Sequence, residues 1–173
     1  KSQAWRYRVK SPTGGVVPIL FLDSDIPGNH DEDRSHTHQL YGGEIDYRLK
    51  QEIILGMGGA RILKALSFDI KRYHMNEGHA ALLTLELLND TKLPLEETWD
   101  ERNAWNAKHV IEQCIFTTHT PVPAGHDCFP YTLVQELLPE EFSIELIKEI
   151  AGKDVLNMTK LAMSLSRYIN GVA

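Results

Sequence analysis

Two segments of this chain carry residue types that could do chemistry. The first, Cys114-Ile-Phe-Thr-Thr-His-Thr-Pro-Val-Pro-Ala-Gly-His-Asp127, is an apolar run that ends in two threonines and a histidine before a Pro- and Gly-rich loop. Pro121 and Pro123 stiffen that loop and push the residues before them toward extended geometry. His119, held there, is preorganised to hydrogen-bond a ligand, although a histidine tied into the fold would give the same pattern. The second segment, Ile70-Lys-Arg-Tyr-His-Met-Asn-Glu-Gly-His79, has the same design. Two strand ends with polar loops can build one site between them, because ligands of open α/β sheets bind outside the carboxyl ends of the strands. Asn76, Glu77 and His79 would then face a polar ligand; Asn76 and Glu77 could equally cap the helix that follows.

Other chemistries fit less well. His74-Met-Asn-Glu-Gly-His79 resembles the zinc-protease pattern, in which two histidines at i and i+4 share a helical face. Here they are five apart, about 140° from each other on a helix, so no metal is expected. Gly56-Met-Gly-Gly-Ala-Arg61 lacks the third glycine of a nucleotide loop and sits inside a helical pattern. Glycines for close helix–strand packing are the better account of it, at roughly 1 kcal/mol each relative to Ala. No Ser–His–Asp or Cys–His arrangement can be argued, and Cys114 is placed to be a small buried hydrophobe.

The elements that must position these residues follow from patterning. Trp5 to Val9 and the apolar run Val16 to Leu22, joined by Pro12-Thr-Gly-Gly15, predict a hairpin whose second strand is buried. Asp23 to Gly43 is a polar loop, long enough at about twenty residues to suit a functional lid, with a helical part near Arg34 to Leu40. Glu44 to Leu66 is the longest helical pattern. Ile70 to Met75 predicts a strand and Gly78 to Asn89 a helix. After a break at Pro94, Thr98 or Asp100 caps a helix to about Ile111, and Cys114 to Thr118 is the next strand. Helices are predicted from Asp127 to Leu138, from Ser143, and from an Asp154 cap to about Tyr168. Strands alternating with amphipathic helices imply an α/β fold, a Rossmann-like parallel sheet flanked by helices.

At 173 residues the chain suits one domain, spanning 1–173. Hydrophobic content of 42% and charged content of 24% are those of a soluble protein, and a net charge of −6 with no basic stripe argues against nucleic acid. Two cysteines make no disulfide framework, no signal peptide opens the chain and no apolar run would span a membrane, so a cytoplasmic location is expected. The start without Met, and the end at Asn170-Gly-Val-Ala173 after a helical pattern, suggest a fragment.

Taken together, these residues resemble the α-glucan (glycogen, starch, maltodextrin) phosphorylase family. The matching segments, in order, are Tyr41-Gly-Gly-Glu with Arg48-Leu-Lys-Gln-Glu-Ile-Ile-Leu-Gly, Tyr73-His-Met-Asn-Glu-Gly-His-Ala, and Phe116-Thr-Thr-His-Thr-Pro-Val-Pro-Ala-Gly-His-Asp. Leu133-Val-Gln-Glu-Leu-Leu-Pro139, Asn157-Met-Thr-Lys-Leu-Ala and Asn170-Gly-Val-Ala173 follow. Asn-Glu-Gly-His, where the animal enzymes have Asn-Asp-Thr-His, is closer to the divergent bacterial and archaeal branch.

The resemblance implies part of the N-terminal half of a two-Rossmann glycosyltransferase. Such an enzyme transfers a terminal α-1,4-linked glucosyl unit of a glucan to inorganic phosphate, giving glucose 1-phosphate. It implies His119 as the catalytic histidine that hydrogen-bonds the glucosyl unit. Asn76, Glu77, His79, Thr120 and Asp127 would be substrate-binding, and Tyr41, Gly42 and Gly43 would belong to a gate loop. Pyridoxal phosphate is implied for the full-length protein, with its lysine in a C-terminal half absent here; Lys148, Lys153 and Lys160 match no such role. The fragment alone would then be inactive, with the C-terminal domain of the same chain as its partner and self-association possible through exposed apolar surface. The rivals are a sugar-nucleotide-dependent glycogen or starch synthase, a zinc hydrolase using His74, Glu77 and His79, and a non-catalytic carbohydrate-binding module.

Overall fold

The computed structural model describes residues 1–40, 42–93 and 105–172. At the centre lies a parallel sheet of order β3 (Tyr73–Asn76), β4 (Cys114–Thr118), β7 (Tyr168–Gly171). Helices α4 (Leu83–Asp90) and α5 (Ala107–Gln113) connect β3 to β4. Three more, α6 (Tyr131–Leu137), α7 (Ile144–Ala151) and α8 (Met158–Ser164), connect β4 to β7. Apolar strands paired in parallel must be covered on their faces. Here Met75 and Phe116 from the sheet and Leu82, Leu85, Leu88, Ile147, Leu161 and Leu165 from the helices form the fully buried core. The result is a mixed α/β arrangement with a general Rossmann-like topology, as the alternation of patterns implied.

Earlier in the chain, β1 (Gln3–Lys10) and β2 (Val16–Asp23) form the expected antiparallel hairpin. Its second strand is not buried: Val16, Val17, Ile19 and Phe21 are all exposed, because a two-stranded ribbon has nothing over its outer face among the described residues. The polar stretch after it is anchored rather than free. It contains a helical turn, α1 (Asp31–Arg34), and a 3₁₀ turn at Ser35–Thr37. The Tyr47 hydroxyl donates to the Ser35 carbonyl, Gln51 donates to the His36 and Gln39 carbonyls, and the His36 and Tyr47 rings stack at 4.9 Å.

The long helical pattern is one continuous helix with an irregular middle: α2 (Ile45–Ile53), a π-turn at Ile54–Gly58, then α3 (Gly59–Ala65). The wide turn coincides with the glycines, yet only Gly56 is a packing glycine. A Cβ there would lie 2.8 Å from the Leu83 amide nitrogen and 3.1 Å from the Ala80 carbonyl, so the close approach is to the start of α4, not to a strand. At Gly58 and Gly59 nothing comes nearer than 3.8 Å.

Further expectations change. Asp127–Leu138 is not one helix: β5 (Cys128–Pro130) comes first and pairs antiparallel with β6 (Val155–Asn157). The last helix is capped by Asn157, whose side chain accepts from the Lys160 amide, not by Asp154, and it ends at Ser164. Tyr168–Gly171 then forms a sheet strand, although the helix was expected to run to about Tyr168. The helix before β4 begins at Ala107 with Asn106 as its cap; Pro94 and the expected caps Thr98 and Asp100 lie outside the described residues. The expected helix at Gly78 opens as a 3₁₀ turn, Gly78–Ala80, before α4.

Candidate functional site

The carboxyl ends of β3 and β4 lie side by side, with Asn76 in register with Thr117. One residue beyond each strand the chain turns, and the two turns hold each other. The Glu77 amide donates to the Thr117 carbonyl at 2.8 Å. The Glu77 carboxylate accepts from the Thr118 hydroxyl at 3.1 Å and from the backbone amide of His119. The His119 ring nitrogen Nε2 is 2.9 Å from Asn76 Oδ1, an acceptor that holds the ring's proton on Nε2. Burial opposes the charge on Glu77, but the His119 amide and the Thr118 hydroxyl outweigh it and keep the carboxyl below its ordinary range.

Glu77 achieves this from an uncommon backbone conformation, φ 65° and ψ 174°. Side-chain-bearing residues rarely occupy it, and such strain collects at functional sites. Gly78, next to it, packs so closely on the start of α8 that a Cβ would lie 3.1 Å from the Met158 side chain. The turn is thus wedged between the sheet and a helix terminus.

A second polar group adjoins this one. Arg48 of α2 donates to Asp127 Oδ2 at 3.0 Å, and His79 Nδ1 lies 3.0 Å from the same oxygen. Behind them is Glu52, 1% exposed, with Arg48 Nε at 3.4 Å and His79 Nδ1 at 3.5 Å. The hydrogen bond to Asp127, then the nearby Glu52 carboxylate, raises the His79 pKa to about 9 against the effect of burial. Burial would raise Asp127, yet His79 and Arg48 hold it well below the usual carboxylate range. Burial pushes Glu52 up to about 7.

Arg48, His79 and Asp127 line a cavity of about 600 Å³ with Gly42, Gly43 and the Gly125–Phe129 segment. Gly43 has φ +77°, and a Cβ there would strike the Tyr47 ring at 2.6 Å, so this wall requires glycine. Thr120 packs its methyl group where a Gly125 Cβ would be, which folds the Pro121–Pro123 loop back onto the cavity rim. On the other side of Arg48 and Glu52 is a larger, mostly apolar cavity of about 760 Å³ between the hairpin and α2–α3.

The structure therefore joins His119 to Asn76 and Glu77, and His79 to Asp127, with Gly42 and Gly43 beside the second pair. Tyr41 lies outside the described residues. Arg48 and Glu52 were quoted in the sequence only as part of a motif; their i,i+4 spacing was the signal that they share a face. Asn170 was likewise unassigned, and it stands in register with Thr117 on the neighbouring strand β7. His74 is drawn away from the others, its Nε2 2.8 Å from the Thr117 hydroxyl, so His74, Glu77 and His79 do not converge as a zinc site would.

Glu52, His79 and Asp127 do bring donor atoms within 4.8 Å of one another. The Arg48 guanidinium already supplies the positive charge there. A Schiff-base cofactor does not fit the site: among the described residues, no lysine lines either cavity or bonds to the His119 group. What the arrangement offers is a rim of fixed donors and acceptors suited to a hydroxyl-rich ligand.

This class of site, at the carboxyl edge of a parallel sheet, occurs here in a chain similar to a segment of the glycogen and maltodextrin phosphorylases. The maltodextrin phosphorylase of Thermococcus litoralis is 39% identical over 92% of this chain and 19% of its own length. The glycogen phosphorylase of Mycobacterium tuberculosis is 35% identical over 97% of this chain and 21% of its own length. That of Aquifex aeolicus is 27% identical over 92% and 24%. The chain thus spans about a fifth to a quarter of the length of these curated relatives (19%, 21% and 24%) and is distantly related to that part of them. No protein-family model matches it. Among the described residues, no helix is long and apolar enough to cross a membrane.

Proposed function

We propose that this chain is a domain-sized segment of the N-terminal half of an α-glucan phosphorylase of the divergent bacterial and archaeal branch, and that it supplies one wall of the sugar pocket. The complete cytoplasmic enzyme transfers a terminal α-1,4-linked glucosyl unit to inorganic phosphate and releases glucose 1-phosphate. The observation that carries this proposal is the junction of His119 with Asn76 and Glu77 at adjacent strand ends, in a chain that resembles phosphorylases over nearly all of its length.

In this mechanism Asn76 fixes the His119 ring and Glu77 fixes its backbone. The ring hydrogen-bonds the glucosyl unit, and the His119 carbonyl favours the positive charge that develops at the reacting carbon. Preorganised dipoles of that kind are stronger in the transition state than in the ground state, so they raise the rate. Asp127, His79 and Thr120 line the sugar's approach. Tyr41, Gly42 and Gly43 gate it, excluding water that would compete with phosphate as acceptor. Pyridoxal phosphate is held by the rest of the polypeptide, so the isolated segment turns over nothing.

The test is glucose 1-phosphate release from maltodextrin and phosphate by the complete polypeptide. His119→Ala is expected to lower kcat by about 10²–10³, the usual effect of deleting one such contact. Release by His119→Ala at near wild-type rate rejects the role of His119; no release by the wild type rejects phosphorolysis.

A further inference from the structure

Glu52 is the most deeply buried member of the second polar group, and neither of its carboxylate oxygens accepts a hydrogen bond of ordinary geometry. An ionised carboxylate in such a place is costly unless nearby charges balance it. Here Arg48 and protonated His79 stand against Asp127 and Glu52 and offset part of that cost, which leaves Glu52 raised to about 7 and charged above that pH. Asp127 takes the hydrogen bonds of both cations, so Glu52 acts through charge at 3.4 and 3.5 Å.

The geometry at His79 shows what that charge decides. Its Nδ1 is 2.8 Å from Arg48 Nη2 and 3.0 Å from Asp127 Oδ2. One ring nitrogen cannot both accept from the guanidinium and donate to the carboxylate. With two carboxylates beside it, Nδ1 keeps its proton and donates to Asp127. With one, the bare nitrogen accepting from Arg48 gains ground, and Asp127 loses a donor.

We propose that Glu52 is a positioning residue of the glucan site: its buried carboxylate keeps the proton on His79 Nδ1 and so holds Asp127 and Arg48 as they line the cavity. The site's role rests on the phosphorylase function proposed above; the protonation of His79 does not. Among the described residues, the charged and titratable groups facing Glu52 are Arg48 on its own helix, His79 on the turn after β3 and Asp127 before β5, and His36 lines the larger cavity with it.

The experiment follows His79 by its imidazole NMR titration in the 173-residue chain, for wild type, Glu52→Gln and Glu52→Asp. Glu52→Gln keeps the size of the side chain and removes its charge; Glu52→Asp keeps the charge. The wild-type midpoint is raised to about 9. It is expected to fall by about one unit or more in the Gln variant and to stay near wild type in the Asp variant. In the complete polypeptide, the alkaline rise in KM for maltodextrin should move down by the same interval in the Gln variant only. For a shift of one unit that makes KM about threefold higher midway between the two midpoints and about tenfold higher above both. An unmoved His79 midpoint in Glu52→Gln overturns the proposal, as does an equal shift in Glu52→Asp, which would mean shape rather than charge. A shifted midpoint without a shifted KM limb removes the positioning role. If the complete wild type releases no glucose 1-phosphate, the phosphorylase function fails while the titration still decides what Glu52 does.

Discussion

Glu77 shows how one residue can join backbone strain to site geometry. At φ 65° it occupies a region costing about 1–3 kcal/mol for a residue with a side chain, and its carboxylate offsets that by holding Thr118 and His119. Glu77→Gly should therefore leave the thermal midpoint of the chain unchanged or slightly higher. In the complete polypeptide, with the His119 amide released, it should lower kcat/KM for phosphorolysis by about 10–100-fold, a loss of the size of one charge-assisted hydrogen bond. Full activity in Glu77→Gly would show that the carboxylate is not needed. Asn76, Glu77 and His119 were legible in the sequence because polar residues immediately after apolar runs mark strand ends. The partnership of Glu52 was not, since an i,i+4 Arg–Glu pair reads as an ordinary surface ion pair until burial is known.

Elements were legible where their period was long enough to express itself. The hairpin, the 45–65 helix and strands β3 and β4 lie within a few residues of their expected positions. The three-residue strands β5 and β6 were read as helix because a short apolar run has no distinguishing period. The strand β7 begins where the last helix was expected to end and was not foreseen, and its parallel pairing with β4 comes from packing rather than from local pattern. The glycines give a test at this scale. Gly56→Ala places a Cβ against backbone atoms of α4 that cannot yield, and should destabilise the chain by about 1–3 kcal/mol in urea unfolding. Gly59→Ala meets only a methyl group at 4.0 Å and should stabilise it by up to about 1 kcal/mol. Equal effects would mean that the wide turn, not the contact with α4, is what these glycines serve.

Over the whole molecule, the dominant feature is apolar surface on the hairpin. Register places Trp5, Tyr7 and Val9 opposite Phe21, Ile19 and Val17, on one face of the ribbon, and all of them are at least 38% exposed. The chain should bind a dye that reports exposed apolar surface. Tyr7→Thr with Val17→Thr should reduce that signal while moving stability by no more than about 0.5 kcal/mol, as substitutions on an open surface do. A large loss of stability would show that the face is covered in solution. The sequence alone determined the alternation of strands and helices, the two strand-end loops and the family likeness, because these are written in local periodicity and short motifs. Only the tertiary structure decided that β7 completes the sheet, that Val16, Val17, Ile19 and Phe21 stay exposed, and that Arg48, Glu52, His79 and Asp127 meet. Burial and charge balance depend on residues 79 positions apart in the chain, as Arg48 and Asp127 are, and no local pattern records them.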